Sequence, residues 1–388
     1  MEKIKILNIV TNVEDGGLEM LVYRIYKGLD KNKYDLNLCS LIPSPETFIM
    51  KDFRNVCSNI YNLKLINKNL KYSDYLRNFI EILKIAKIIR KNKIDIVHSH
   101  DFFPAFNTRI AVIICKLTFS KYPKKVFSTY HNLYFWLKPV HRFINKLLSY
   151  VTTKIICVSK SAMEDSIEKE HISRNKYVVI YNGMNSDDFY RDDEMKLSQK
   201  SYYNFKPDDF IFGNVGVISV RKGQIYLLKA FKKLSDIYPK LKLVIVGSMR
   251  NSELDIYNEI IDYIKINSLE GKVRILDTVR DVNRIYNMID IFVMCSITEG
   301  FGLSAYEAML TEKICIFSDI PVFKELTENG KIGYLFENKN PDSLFSVLNE
   351  VLKKYDNLES ERKSAREYVL KNFGYFEMVK KYDLLYSS

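Results

Sequence analysis

The feature that most constrains this chain is a double series of short runs that are apolar throughout, each followed by a longer stretch of helical period. In the first half the runs cover 5–10, 35–41, 94–99, 125–130, 155–159 and 177–181; in the second, 211–215, 241–246, 273–276, 291–294, 314–318 and 333–336. A strand with one solvated face alternates apolar and polar residues, whereas a strand buried on both faces of a parallel sheet does not. Helical patterns lie between the runs, as at 73–91 and 224–237. Such alternation in both halves predicts an α/β chain of two doubly wound, Rossmann-like domains. The length of 388 residues exceeds one compact core, and a hydrophobic content of 47% supplies two. The polar stretch 185–204 reads as a linker, and 376–386 as a helix after the second domain.

Charge divides the halves. Residues 1–180 carry 30 Lys and Arg against 16 Asp and Glu, while the whole chain is +12, so the second half is slightly acidic. The window 102–163 has ten basic residues and no acidic one. A basic surplus confined to one half predicts an anionic surface met by that half. Within the window, 136–148 is amphipathic: Trp136, Val140, Phe143, Ile144, Leu147 and, just beyond, Val151 make one face, and Lys138, Arg142, Asn145 and Lys146 the other. This reads as an interfacial, lipid-seeking face, or as a core helix with a solvated basic side. No nucleic-acid motif accompanies the charge. The longest uncharged apolar run near the middle, 110–115, is six residues, against the roughly twenty that a membrane span needs. Six scattered cysteines and no signal-like N-terminus predict a cytosolic protein.

Ligands of doubly wound sheets bind beyond the carboxyl ends of the strands, and two such domains can face each other across a cleft. The strongest constellation lies at such an end: Thr298-Glu299-Gly300-Phe301-Gly302-Leu303-Ser304-Ala305-Tyr306-Glu307 follows the 291–294 run and opens a helix near Leu303. A turn leading into a helix aims backbone N–H groups at an anion such as a phosphate. Two carboxylates eight residues apart suit the hydroxyls of two sugars. The spacing alone equally fits a plain strand–turn–helix with solvated glutamates.

Glu299 and Glu307, with Gly300-Phe301-Gly302 between them, resemble the E-x7-E motif of the retaining group 1, family 4 glycosyltransferases of the GT-B fold. The resemblance implies that Glu299 lies beside the transferred sugar and Glu307 on the nucleotide ribose. It places Phe301, Gly302 and Leu303 in the turn that meets the donor's sugar and diphosphate. Gly213-Asn214-Val215-Gly216-Val217-Ile218-Ser219-Val220-Arg221-Lys222-Gly223 is similar to the family's phosphate loop, with Lys222 as a diphosphate clamp and catalytic cation. The family's Arg position holds Val217, and Arg221 stands as the alternative phosphate ligand. Glu14-Asp15-Gly16-Gly17 resembles the Gly-Gly loop that approaches the diphosphate from the first domain. His98-Ser99-His100-Asp101 and Thr129-Tyr130-His131-Asn132 resemble the family's histidine patterns, which put His131 near the anomeric centre. His98 and His100 share a strand face, but no third ligand with suitable spacing supports a metal.

The resemblance implies an acceptor-binding domain at 1–190, a donor-binding domain at 191–375 and a terminal helix, 376–388, that crosses back. It implies transfer, with retention, from a UDP- or GDP-sugar to a lipid-linked or cell-surface polysaccharide acceptor. With the basic window, it predicts peripheral attachment to the inner face of the plasma membrane. The absence of Asp-x-Asp predicts a reaction without metal or other cofactor. A GT-B nucleotide-sugar epimerase and, given Val217, a non-catalytic sugar-nucleotide binder are the competing readings.

Overall fold

The structure, a computed structural model, describes residues 2–14, 16–66, 71–133, 137–249 and 253–388. It divides into two compact units, Met1–Gly183 with Phe376–Ser388, and Met184–Tyr375. Both are parallel α/β sheets, as the wholly apolar runs require.

The first unit contains β1 (Ile4–Val10), β2 (Tyr34–Ser40), β3 (Asn59–Asn62), β4 (Ile96–His100), β5 (Lys125–Tyr130), β6 (Lys154–Cys157) and β7 (Tyr177–Val179). Their order in the sheet is β3-β2-β1-β4-β5-β6-β7. Leu7, Ile9, Val97 and Val126 pack with Ile85, Ile89 and Val112 of the crossover helices Tyr72–Lys91 and Phe102–Leu117. Each such buried side chain contributes about 1.5–3 kcal/mol relative to exposure. The register sets Asn8 beside His98 and His100 beside Thr129. The last helix, Tyr375–Ser387, joins this unit through Tyr382 and Tyr386, both buried. Its Asp383 accepts from the Tyr34 hydroxyl at 2.7 Å and from Lys33 Nζ at 2.8 Å.

The second unit contains β8 (Phe210–Val215), β9 (Leu241–Val246), β10 (Val273–Leu276), β11 (Ile291–Met294), β12 (Ile314–Ser318) and β13 (Tyr334–Phe336), ordered β10-β9-β8-β11-β12-β13. Phe212, Leu243, Ile245, Val293 and Ile316 form its centre, closed by Leu227, Leu228 and Phe231 of the helix Gln224–Ile237. In each sheet the chain first builds outward on one side and then returns. The switch points therefore fall between β1 and β4 and between β8 and β11, where such sheets receive ligands.

Two sequence expectations need correction. The stretch 185–204 is structured: Asp193–Tyr202 is a helix whose N-cap, Asp192, accepts from the Met195 N–H at 2.9 Å. Lys196 pairs with Asp290 at 2.5 Å, and buried Lys200 donates to the Asp209 carbonyl at 2.6 Å. A lysine stem covers apolar surface while its head finds an acceptor, so a polar sequence concealed a packed helix. Residues before it also belong to the second unit. Arg366 Nη1 donates to the Phe189 carbonyl at 2.9 Å, and the Phe189 ring meets Tyr286. The units thus part after Gly183 rather than after residue 190. β3 has no counterpart among the apolar runs, because its asparagines bond sideways: Asn59 to Asn37 at 2.8 Å, and Asn62 to Ser40 at 2.7 Å.

Candidate functional site

In the second unit, two loops meet beyond the carboxyl ends of the neighbouring strands β8 and β11. One runs from β8 to the helix Gln224–Ile237 and the other from β11 to the helix Leu303–Leu310. The Ile297 N–H donates to the Arg221 carbonyl at 2.8 Å, and Arg221 Nη1 donates to the Thr298 carbonyl at 3.1 Å. So close an approach needs a residue without Cβ. Gly223 has φ 64°, and a Cβ there would stand 2.2 Å from the Cys295 carbonyl oxygen.

Glu299 occupies the join. Its Oε1 lies 2.5 Å from Lys222 Nζ, 2.8 Å from Arg221 Nη1 and 3.3 Å from Ser296 Oγ. The carboxylate side chain is 7% exposed, Lys222 12% and Arg221 34%. Burial alone would raise the Glu299 pKa, but Lys222 and Arg221 outweigh it and hold the carboxyl below its ordinary value. Burial pushes the Lys222 ammonium below its ordinary value, against the opposing pull of Glu299. Two cations therefore converge on the Glu299 carboxylate, and the Glu307 carboxylate also acts on Lys222.

The other glutamate has a hydroxyl partner of its own. Glu307 Oε2 lies 2.7 Å from the Tyr286 hydroxyl, which is also 3.2 Å from the Ser304 carbonyl. Gly302, at φ 83°, turns the chain into the helix Leu303–Leu310, and a Cβ there would collide with the Phe323 ring. The N–H groups of Leu303 and Ser304 have no carbonyl partner among the described residues, as helix starts leave them. Phe301 is only 5% exposed and packs its ring on Tyr306 and Phe373. Its side chain is thus core. Val217, in the position the family gives to Arg, has its carbonyl taken by the Gln224 side-chain N–H at 3.1 Å.

In the first unit, Gly16 caps the helix Gly17–Gly28 that follows β1, and Gly17 is exposed at its start. Asp15 of that motif lies outside the described residues. His131 follows β5, its backbone N–H donating to Asp101 Oδ1 at 3.3 Å and its Nε2 lying 3.0 Å from His100 Nδ1. His98 is enclosed: Nδ1 lies 2.6 Å from the Tyr386 hydroxyl and Nε2 2.7 Å from Thr129 Oγ1. Burial pushes its pKa down to about 3, so this histidine is structural. Among the described residues no three His, Cys, Asp or Glu side chains are grouped to hold a metal ion.

The helix Pro139–Leu148 turns the expected apolar face outward rather than into the core. Val140, Phe143 and Leu147 are exposed, Ile144 is half-buried, and Trp136 lies outside the described residues. Its packing against the sheet is made partly by a polar residue, Asn145, which donates to the Tyr130 hydroxyl at 2.8 Å. The helix Tyr72–Lys91 likewise exposes Tyr75, Leu76, Phe79, Ile80 and Leu83. No helix among the described residues is long and apolar enough to cross a membrane.

Sequence reasoning missed Tyr286, Asn8 and His100 as holders of the site side chains. Asn8, a lone amide inside an apolar strand and 1% exposed, was the available signal.

Two Rossmann-like parallel sheets, each with its loops gathered at a switch point, define a GT-B fold. Residues 196–369 match the family model of Glycosyl transferases group 1, and residues 15–188 match that of Glycosyltransferase Family 4. The chain is a GT-B glycosyltransferase, built from a family 4 module followed by a group 1 module. It is 24% identical over 392 residues to the UDP-Gal:alpha-D-GlcNAc-diphosphoundecaprenol alpha-1,3-galactosyltransferase of Escherichia coli, covering 99% of this chain and 97% of that one. It is 28% identical over 225 residues, 57% of each chain, to the capsular polysaccharide biosynthesis glycosyltransferase CapM of Staphylococcus aureus. HepE of Anabaena, solved with UDP-glucose, superposes with a TM-score of 0.85 at 17% identity, over 99% of this chain and all of that one.

Proposed function

We propose that this enzyme transfers a sugar, with retention, from a UDP- or GDP-sugar to a lipid-linked or cell-surface polysaccharide acceptor, without a metal. The observation that carries the reading is the convergence of Lys222 and Arg221 on Glu299 at the β8/β11 switch point. A diphosphate arriving there meets two cations and the N–H groups of Leu303 and Ser304. It competes with Glu299 for Lys222 and Arg221, which frees the carboxylate for the sugar hydroxyls. As the anomeric C–O bond breaks, Lys222 and Arg221 stabilise the departing diphosphate, the role a divalent cation takes elsewhere. The acceptor oxygen bonds to the anomeric carbon on the same face and passes its proton to the leaving phosphate oxygen. His131 places the sugar, Gly16 and Gly17 approach the diphosphate, and Glu307, steadied by Tyr286, holds the ribose. The named relatives, a diphosphoundecaprenol galactosyltransferase and a capsule enzyme, support the acceptor class.

A thermal-shift series with UDP, GDP, ADP and their sugars tests the donor, because a ligand that binds only the native state raises the melting temperature. A shift with UDP or GDP and its sugars that persists in excess EDTA is the expected result. A shift that needs Mg²⁺ or Mn²⁺ would remove the metal-free reading. No shift with any nucleotide would remove the donor site.

Attachment to the anionic inner face of the plasma membrane, through the first unit, is supported by its basic surplus and by the exposed apolar side chains of Val140, Phe143, Leu147, Leu76 and Phe79. The protein should sediment with anionic vesicles and not with neutral ones, and should release as salt screens the charges. Phe143→Asp should weaken that binding. Equal sedimentation with both vesicle types, or with neither, counts against the surface.

A further inference from the structure

Strands β1 and β4 of the first unit, and the residue that follows β5, carry a line of polar side chains that ends at His131. It begins at Asn8 in β1, whose Oδ1 lies 2.7 Å from His100 Nε2. A carboxamide oxygen only accepts, so His100 Nε2 carries the hydrogen. His100 is buried, and burial, aided by His98 and His131, keeps its pKa well below the ordinary value. A neutral imidazole has one N–H, so His100 Nδ1 is bare and accepts. The atom facing it at 3.0 Å is His131 Nε2, which is then the donor. Burial lowers the His131 pKa too, with Asp101 pulling the other way, so this ring is neutral and its Nδ1 keeps a lone pair. That nitrogen has no hydrogen-bond partner among the described residues. His98 differs: both its partners are hydroxyls, which donate or accept equally well, so they select no tautomer.

We propose that Asn8 and His100 are positioning residues that lock His131 in its Nε2–H form, leaving Nδ1 at the carboxyl edge of the sheet to accept a hydrogen bond from a hydroxyl of the transferred sugar. The acceptor role rests on the placing of His131 beside that sugar in the function proposed above; the tautomer does not. A fixed lone pair selects for a sugar that presents a hydroxyl there, and against one whose corresponding group only accepts.

The tautomer is read directly from two-bond ¹H–¹⁵N spectra of the ¹⁵N-labelled full-length protein. The chain has only five histidines, and His131→Gln assigns the one that matters. Both His100 and His131 should be neutral Nε2–H rings at pH 7. A His131 ring with its hydrogen on Nδ1, or a charged ring, overturns the lock. Asn8→Asp supplies the kinetic arm. A carboxylate favours a doubly protonated His100, whose Nδ1–H then faces His131 Nε2 and drives the His131 hydrogen to Nδ1. Donor kcat/KM should fall at least tenfold, while inhibition by the free nucleoside diphosphate, which lacks the sugar, stays within twofold. Adding Asn8→Asp to His131→Ala should cost nothing further; an undiminished loss in that background means that Asn8 acts only structurally and overturns the proposal. Wild-type transfer by His131→Ala overturns the acceptor role, and with it the placing of His131, even where the spectra show the expected tautomer. Should Asn8→Asp fail to fold, the spectra of the unmodified protein still decide the lock.

Discussion

Lys222→Met should lower kcat/KM for the donor by about 100- to 1000-fold, the range seen when one preorganised electrostatic group is removed from a developing oxyanion. Lys222 is the most enclosed cation at the β8/β11 join, 2.5 Å from Glu299 and 12% exposed. Its charge is therefore little screened and acts where the diphosphate departs. Arg221→Met should cost less, because that side chain is 34% exposed and solvent shares its charge. Steady-state kinetics of the two variants, with melting temperatures alongside, checks the order. Equal losses, or a larger one for Arg221, would move the clamp onto Arg221 and remove Lys222 from its role. The pair also has a pH consequence. The folded Glu299 pKa lies below the ordinary 4.5, so its stabilisation is present above about that pH. It is lost as pH falls through the lower, folded value. Acid unfolding of Glu299→Gln should lack that component.

The two glutamates should separate in kinetics. Glu299→Gln should mainly lower kcat, since the carboxylate faces the sugar whose charge develops only during transfer. Glu307→Gln should mainly raise donor KM, because a ribose contact is shared by ground and transition states. Loss of a charged hydrogen-bond partner costs about 1.5–3 kcal/mol, so each change should cost roughly tenfold to a hundredfold. Tyr286→Phe should act like a weaker Glu307→Gln, because the Tyr286 hydroxyl holds Glu307 Oε2 at 2.7 Å. Donor kinetics unaltered in both glutamate variants would remove the assignment of this motif, provided both melt at the wild-type temperature.

Two parallel sheets were legible in the sequence because burial on both faces writes itself as uninterrupted apolar runs, and β9, β10, β11 and β12 lie where those runs lie. The glycines and glutamates of the β11 turn were legible for a related reason: a tight strand-to-helix turn restricts residue type locally, as Gly302 at φ 83° shows. Elements stabilised by side-chain chemistry were not. The helix Asp193–Tyr202 and the strand β3 hide apolar stems and amide ladders behind polar letters. Phe301 reads as a ligand contact beside two glycines, yet Tyr306 and Phe373 claim its ring. Residues 77 apart in sequence, Lys222 and Glu299, became an ion pair only because β8 and β11 are neighbours in the sheet. In the same way His100 reaches both Asn8 and His131 only through the β1–β4–β5 order. Local sequence determined which backbone segments could be strands, turns and helix starts. Strand order, which rests on contacts between distant residues, decided which charges meet and which nitrogen of His131 holds its hydrogen.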